Sequence, residues 1–318
     1  MREFALIDEI RSRVSNTRDD VVLGIGDDAA ILAPRPGHEL VVSTDTLVSG
    51  VHFPPNTAAF DVGWKALAVN LSDLAAMGAE PAWVTLALTL PEGSPEWPLA
   101  FVDGFAALAA EHRVALVGGD TTRGPLAITV AVHGFVPRGT ALRRDGASAG
   151  DAIFVSGTLG DAAAGLAVVL ADAFASRPER AALRARLDRP TPRVALGLAL
   201  RGVASACIDV SDGLAADLGH VARRSGVGAT VDVDALPASD ALRACADPDR
   251  RRDWQLRGGD DYELCFTVPD DRVADAERAA AQAGVPIARI GTVTKRPGLV
   301  DAGGDALAPD RAGWDHFA

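Results

Sequence analysis

WKALAVNLSDLAAMGAEPAWVTLALTL, residues Trp64–Leu90, reads as one apolar helix followed by one strand. Gly78 closes the helix, and beyond Pro81 the run Ala82–Leu90 alternates as a strand does. Asn70 and Asp73 fall on one face of the helix. An aspartate between Leu71 and Leu74 is costly to bury unless it caps something locally or meets a cation that the neighbouring sequence does not supply. The same anomaly recurs at Gly26-Asp27-Asp28, Ser43-Thr44-Asp45, Gly119-Asp120, Asp209-Val210-Ser211-Asp212 and Gly259-Asp260-Asp261. The chain therefore reads as an α/β (α+β) protein that gathers scattered carboxylates on cations.

With 318 residues the chain is long enough for two domains, and its 48% hydrophobic content and 32 glycines suit tight-turned α/β architecture. The polar, glycine-containing stretch Arg143–Asp151 marks the connection, which gives domains 1–145 and 146–318. Phe4, Ile7, Ile10 and Val14 space an amphipathic helix rather than a signal peptide, and no run approaches the roughly 20 apolar residues of a membrane span. The expectation is a cytoplasmic protein. Cys207, Cys245 and Cys265 lack CxxC spacing, which disfavours both a disulfide framework and a zinc site. A net charge of −12 without a basic stripe excludes nucleic-acid binding by bulk electrostatics. An acidic protein still binds anionic phosphates when divalent metals lie between the two sets of charge.

Several motifs fit that chemistry. Gly24-Ile25-Gly26-Asp27-Asp28-Ala29 matches the dinucleotide fingerprint in form, but two carboxylates stand where a pyrophosphate would approach and no adequate helix follows. A glycine turn presenting carboxylates to a metal fits better, although isolated Gly-Asp-Asp is also an ordinary polar turn. Strand Glu39–Ser43 is expected to deliver Ser43-Thr44-Asp45 at its end as hard oxygen ligands, with His52 beyond it as a substrate contact or a structural histidine. The short strand Val114–Val117 leads to Gly118-Gly119-Asp120, where glycine lets backbone approach a ligand closely. Arg143-Arg144 is a solvated pair or a phosphate clamp. Strand Ala206–Val210 runs into Ser211-Asp212-Gly213 at a helix N-terminus, where Ser211 and Asp212 read equally well as caps and Asp209 less so. The P-loop and the protein-kinase signature set are both missing from the sequence. Carboxylates, glycines, hydroxyls and an arginine pair remain, a set suited to phosphoryl transfer by positioning and charge neutralisation.

Taken together, LGIGDDAAIL, VVSTDTLVSGVHF, KALAVNLSDLAAMGAEPAWVTLALTLP, GGDTTRGPL, HGFVP, IDVSDGLAADLGH and GGDDYELCFTV resemble the thiamine-monophosphate kinase family. That family lies in the superfamily of aminoimidazole-ribotide synthetase and selenophosphate synthetase. The resemblance implies an N-terminal α/β domain whose strands form a barrel across a homodimer, followed by a C-terminal α/β domain. It implies ATP-dependent phosphorylation of thiamine monophosphate on several Mg2+ ions. By motif, Asp28, Ser43, Thr44, Asp45, Asp73, Asp120, Asp209 and Asp212 correspond to magnesium ligands. Gly119, Asp120, Arg144 and Ser211 correspond to ATP contacts, and His52, Asp260 and Trp314 to substrate positions. Asp45, Asp73 and Arg144 are then the residues expected to carry catalysis. Asp260 departs from the family, which commonly has Glu there. Selenophosphate synthetase is disfavoured, since no Cys or Ser nucleophile sits in a glycine-rich N-terminal segment. A non-catalytic, magnesium-dependent binder of nucleotide or thiamine phosphate is the competing reading from another class.

Overall fold

The computed structural model describes residues 3–14, 18–91 and 96–307. Its chain divides into two compact units, 1–74 with 79–139 and 75–78 with 140–318.

The first unit runs α1 (Glu3–Arg13), β1 (Val21–Leu23), β2 (Ile31–Leu32), β3 (His38–Val48), α2 (Ala59–Ala76), β4 (Glu80–Leu90), α3 (Glu96–Glu111), β5 (Ala115–Arg123) and β6 (Ala127–Pro137). Four strands form one sheet in the order β3-β6-β4-β5, antiparallel except for the β4–β5 pair. Along β6, buried Ile128, Val130 and Val132 alternate with half-exposed Thr129, Ala131 and His133. This two-residue period is that of a strand with only one face in the core. Helix α2 buries Leu67, Leu71 and Leu74 completely. Its end is a Schellman motif: Ala79 N–H bonds Leu74 C=O at 2.8 Å, Gly78 N–H bonds Ala75 C=O at 3.0 Å, and Gly78 takes φ +62°.

Helices α2 and α3 meet backbone to backbone. A Cβ on Gly63 would lie 1.9 Å from the Phe101 carbonyl oxygen, and one on Gly104 would lie 1.9 Å from that of Phe60. Each glycine is thus required by the approach of the opposite helix.

Three strand boundaries differ from the sequence expectation. Strand β4 begins at Glu80 and includes Pro81, which sits beside a register shift between Pro81 and Trp83 where the ladder tolerates a missing N–H. Strand β3 continues through Val48 and β5 through Arg123, so Ser43-Thr44-Asp45 and Gly118-Gly119-Asp120 lie inside strands rather than beyond their ends. Among the described residues both are edge strands with one partner each. There, polar and β-branched residues meet water on one face without breaking the ladder.

The second unit contains β7 (Ala152–Ser156), α4 (Asp161–Ala171), α5 (Arg180–Asp188), α6 (Val194–Ala199), β8 (Ala206–Val210), α7 (Leu214–Ser225), β9 (Gly228–Val231), α8 (Asp240–Cys245), α9 (Pro248–Arg257), β10 (Glu263–Val268), α10 (Val273–Ala283), β11 (Ile287–Thr294) and β12 (Gly298–Asp301). Its strands order as β12-β9-β11-β7-β10-β8. Helix α9 was not expected, because its sequence is almost uniformly polar. It starts at a proline, with the Asp247 side chain accepting Arg250 N–H as its cap. Beneath the sheet end, the fully buried Glu263 carboxylate accepts from Ser156 Oγ at 2.6 Å, from Arg193 Nε at 2.6 Å and from Arg186 at 2.9 Å. A buried charge so fully satisfied fixes the 180–200 segment on the sheet.

Gly63→Val should lower the melting temperature in a thermal denaturation assay. Forcing the α2–α3 crossing apart costs roughly 1–3 kcal/mol or more, and an unchanged melting temperature would contradict the backbone contact.

Candidate functional site

In the first unit, β3 and α2 bring Ser43, Asp45 and Asp73 together. Ser43 Oγ donates to Asp73 Oδ2 at 2.6 Å. Burial, and then the charge of Asp73, raise the Asp45 carboxyl to about 6 from its ordinary 3.8. Two carboxylates and a hydroxyl that repel or crowd each other in a half-buried place are a hard-oxygen donor set that fits Mg2+. Asp73, the aspartate placed between Leu71 and Leu74, is therefore turned toward an edge strand.

Thr44 does not join that face. Strand β3 alternates, with Ser43 and Asp45 half-buried and Thr44 exposed between them, so the Thr44 side chain leaves from the opposite side of the sheet. The expectation of three adjacent side-chain ligands at a strand end is corrected by the strand running straight through them. Gly119 and Asp120 also stand apart from this group. Asp45 pairs with Val130, Val130 with Leu86, and Leu86 with Gly119, which puts Asp45 and Gly119 in one row. Three strand spacings, roughly 14 Å, separate them along the sheet. Gly119 is required by its neighbour, since a Cβ there would lie 1.9 Å from the Leu86 carbonyl oxygen. Asp28 is exposed in the turn between β1 and β2, its N–H bonded to Asp27 Oδ1 at 2.8 Å. His52 accepts the Val48 N–H on Nδ1 at 3.0 Å, which leaves the ring proton on Nε2. Among the described residues, no three His, Cys, Asp or Glu side chains gather into a metal-holding group.

In the second unit, the C-terminal end of β8 and the start of β10 assemble a second acidic group. Asp209 is buried at 3% exposure. The cap position of α7 is Gly213, so neither Ser211 nor Asp212 is the helix cap. The Asp217 carboxylate accepts the N–H groups of Ser211 at 3.0 Å and Asp212 at 3.1 Å. Burial, and then the charges of Asp209 and Asp212, push Asp217 up to about 8. Asp260 docks on the same turn: its N–H bonds Ser211 C=O at 2.9 Å, and a Cβ on Gly259 would lie 2.5 Å from that oxygen. Asp260 and Tyr262 both take positive φ, +68° and +51°. Such strain is held only where surroundings over-determine it. Tyr262 Oη donates to Asp260 Oδ1 at 3.0 Å, which aims that carboxylate. Arg143 bonds Asp145 at 2.8 Å, while Arg144 is exposed with its carbonyl accepting Ser225 Oγ at 3.0 Å. Trp314 lies outside the described residues.

Asp217 and Tyr262 were not singled out from sequence. For Asp217 the signal was present, an acid in the first turn of a helix. For Tyr262 none existed, because its role depends on backbone conformation. For Asp45, a folded-state value above the unfolded 3.8 means that the native chain binds extra proton between about 4 and 6. That stabilisation is present at low pH and lost as pH rises through this window. Asp45→Asn in a chelator should therefore melt higher than the parent at pH 8, with the gap closing toward pH 4. Identical melting at both pH values would refute the strained carboxylate.

Residues 26–136 match the model for the AIR synthase related protein N-terminal domain, and residues 148–302 that for the C-terminal domain. The thiamine-monophosphate kinase of Salmonella typhimurium is 51% identical over 319 residues, covering 99% of this chain and 98% of that protein. The crystal structure of thiamine-monophosphate kinase from Stenotrophomonas maltophilia K279a superposes with a TM-score of 0.90 at 57% identity, covering 96% and 98% of the two chains. The AaThiL structure complexed with AMPPCP and TMP gives 0.81 at 34% identity, covering 100% and 99%. By domain models, full-length identity and fold, the chain belongs to the thiamine-monophosphate kinase family.

Proposed function

We propose that the protein transfers the γ-phosphoryl group of ATP in line to thiamine monophosphate, giving thiamine diphosphate and ADP in the last step of thiamine diphosphate biosynthesis. The observation that carries this is the Ser43–Asp45–Asp73 group, a hard-oxygen set strained by its own charge, in a chain akin to one complexed with AMPPCP and TMP.

The acceptor is itself a phosphate with a second pKa near 6, largely anionic at neutral pH, so no general base is needed. Repulsion is the obstacle: two unit charges ~4 Å apart oppose each other by about 4 kcal/mol at an effective dielectric of 20. Magnesium, when bound, supplies the charge neutralisation that lets two polyanions approach. Ser43, Asp45, Asp73, Asp28, Asp120, Asp209 and Asp212 would hold such ions. Gly119, Asp120, Arg144 and Ser211 would contact ATP, with the Arg144 guanidinium stabilising charge during transfer. His52 through its Nε2 proton, Asp260 aimed by Tyr262, and Trp314 would bind thiamine monophosphate.

The working form is proposed to be a homodimer. β3 and β5 are open edges of 11 and 9 residues, and β3 exposes Leu40 at 47% and Val42 at 55%. Long apolar edges are otherwise an aggregation hazard, and a second copy closing a barrel would remove both. No helix among the described residues is long and apolar enough to cross a membrane. Buried thiols Cys207 and Cys265 suit the reducing cytoplasm.

Mass detection of thiamine diphosphate after mixing protein, ATP, Mg2+ and thiamine monophosphate tests the activity, with a chelator control expected to be silent. Binding of both ligands without product would instead favour a non-catalytic role. Asp45→Asn and Asp73→Asn should each lower kcat by at least about 10²–10³ while the fold survives, and near-parental turnover in either would remove the metal reading. Leu40→Glu should sediment as a monomer, and an unchanged dimer would place the interface elsewhere.

A further inference from the structure

Helices α2, α3, α7 and α10 close on the same turn, and α3 does so without glycine. Gly78 after α2, Gly226 after α7 and Gly284 after α10 take φ +62°, +69° and +67°. Each donates to the carbonyl three residues back, while the residue after it donates five back. After α3 the bonds are the same, Arg113 N–H to Ala110 C=O at 3.2 Å and Val114 N–H to Ala109 C=O at 2.8 Å, but the left-handed position, at φ +53°, is held by an arginine. An L side chain is disfavoured there and glycine is not. Arg113 therefore lowers stability relative to the residue used after α2, α7 and α10.

No contact of the Arg113 side chain offsets that strain. Its carbonyl accepts Arg18 Nη1 at 2.9 Å, but among the described residues its guanidinium makes no hydrogen bond or ion pair. Instead it lines a cleft of about 620 Å³ with Arg18, Asp20, Pro34, Arg35 and Pro36. That volume is in the range of small-molecule sites. The other two arginines have already matched their acids. Arg18 grips both oxygens of Asp20, which also accepts Trp83 Nε1 at 2.9 Å, and Arg35 grips both oxygens of Glu80 at 2.7 and 2.9 Å. Bonds from Arg18 and then Trp83 hold the Asp20 carboxyl below its ordinary range against the effect of burial. A guanidinium has five N–H donors, so Arg18 and Arg35 each keep some beyond these bonds. In a chain of net charge −12, an uncommitted cation held on a strained turn over a cleft calls for an anion.

We infer that this cleft is a separate anion site that takes a phosphate-bearing small molecule, bound by Arg113 with the spare N–H groups of Arg18 and Arg35 and resting its apolar part on Pro34 and Pro36. Guanidinium forks match phosphate oxygens two at a time, and a phosphate brings nearly two negative charges to arginines that lack a free acid. The site lies before the start of β3, whereas Asp45 is seven residues beyond His38 along that strand, roughly 23 Å at the strand rise. Unlike the acidic group there, it needs no divalent ion.

Titration calorimetry of the full chain with inorganic pyrophosphate tests this, in a chelator so that metal-dependent phosphate binding is silent. The parent should bind. Arg113→Gly should weaken binding at least tenfold while melting at or above the parent temperature, because glycine relieves the left-handed turn. Arg113→Asn, which tolerates that conformation without a charge, should weaken binding to the same degree. Absence of binding by the parent overturns the inference, as does undiminished affinity in both variants. Melting of both variants below the parent also overturns it, since Arg113 would then be a structural residue. Thiamine diphosphate formation is read separately with Mg2+ present, so failure here leaves the proposed function standing.

Discussion

Repulsion between carboxylates that packing refuses to separate is the constraint from which the rest follows. Asp73 is carried on a helix whose Leu67, Leu71 and Leu74 are fully buried, and Asp45 on a strand laddered residue by residue to β6. Neither can retreat without undoing core contacts that are each worth a few kcal/mol. The charge conflict between them is therefore built in, and the core supplies the energy that maintains it. In this sense the unusually apolar α2 and the acid it carries are one feature.

Holding that geometry needs close approach elsewhere. Gly63 and Gly104 let α2 and α3 touch through their backbones, and the Schellman turn at Gly78 returns the chain at once into β4. Gly119 permits β5 to press against β4. These glycines are structural.

The second unit solves a related problem with backbone rather than helix packing. Asp260 and Tyr262 are held at positive φ by bonds from their N–H groups to Ser211 and Val210 carbonyls at 2.9 and 2.8 Å. The next residues inward are buried and held: Asp261, its carboxyl pushed up to about 8 chiefly by burial, accepts Gly160 N–H at 2.7 Å, and Glu263 is gripped by two arginines. Strain is thus placed between two anchors, and buried Asp209 shares one end of the sheet with the half-buried Asp212 and Asp260.

Element identity was largely legible in the chain because it depends on local period and punctuation. The α2–β4 unit with its Gly78 stop, β8 running into Gly213 and α7, and the acid-plus-glycine motifs all carry their physics within a few residues. Helix α9 escaped because a polar helix lacks a period, and β12 because a four-residue strand laddered to β9 leaves little trace in its own residues. The facing of Thr44 was misjudged because where β3 ends depends on its partner β6, not on Ser43-Thr44-Asp45 itself. The sequence by itself determined which residues were chemically costly to place: acids among leucines, and glycines beside acids. Only the tertiary structure decided which of those acids meet, because a carboxylate's neighbours across a sheet or at a strained turn are set by pairing register and packing, which no single stretch of chain contains.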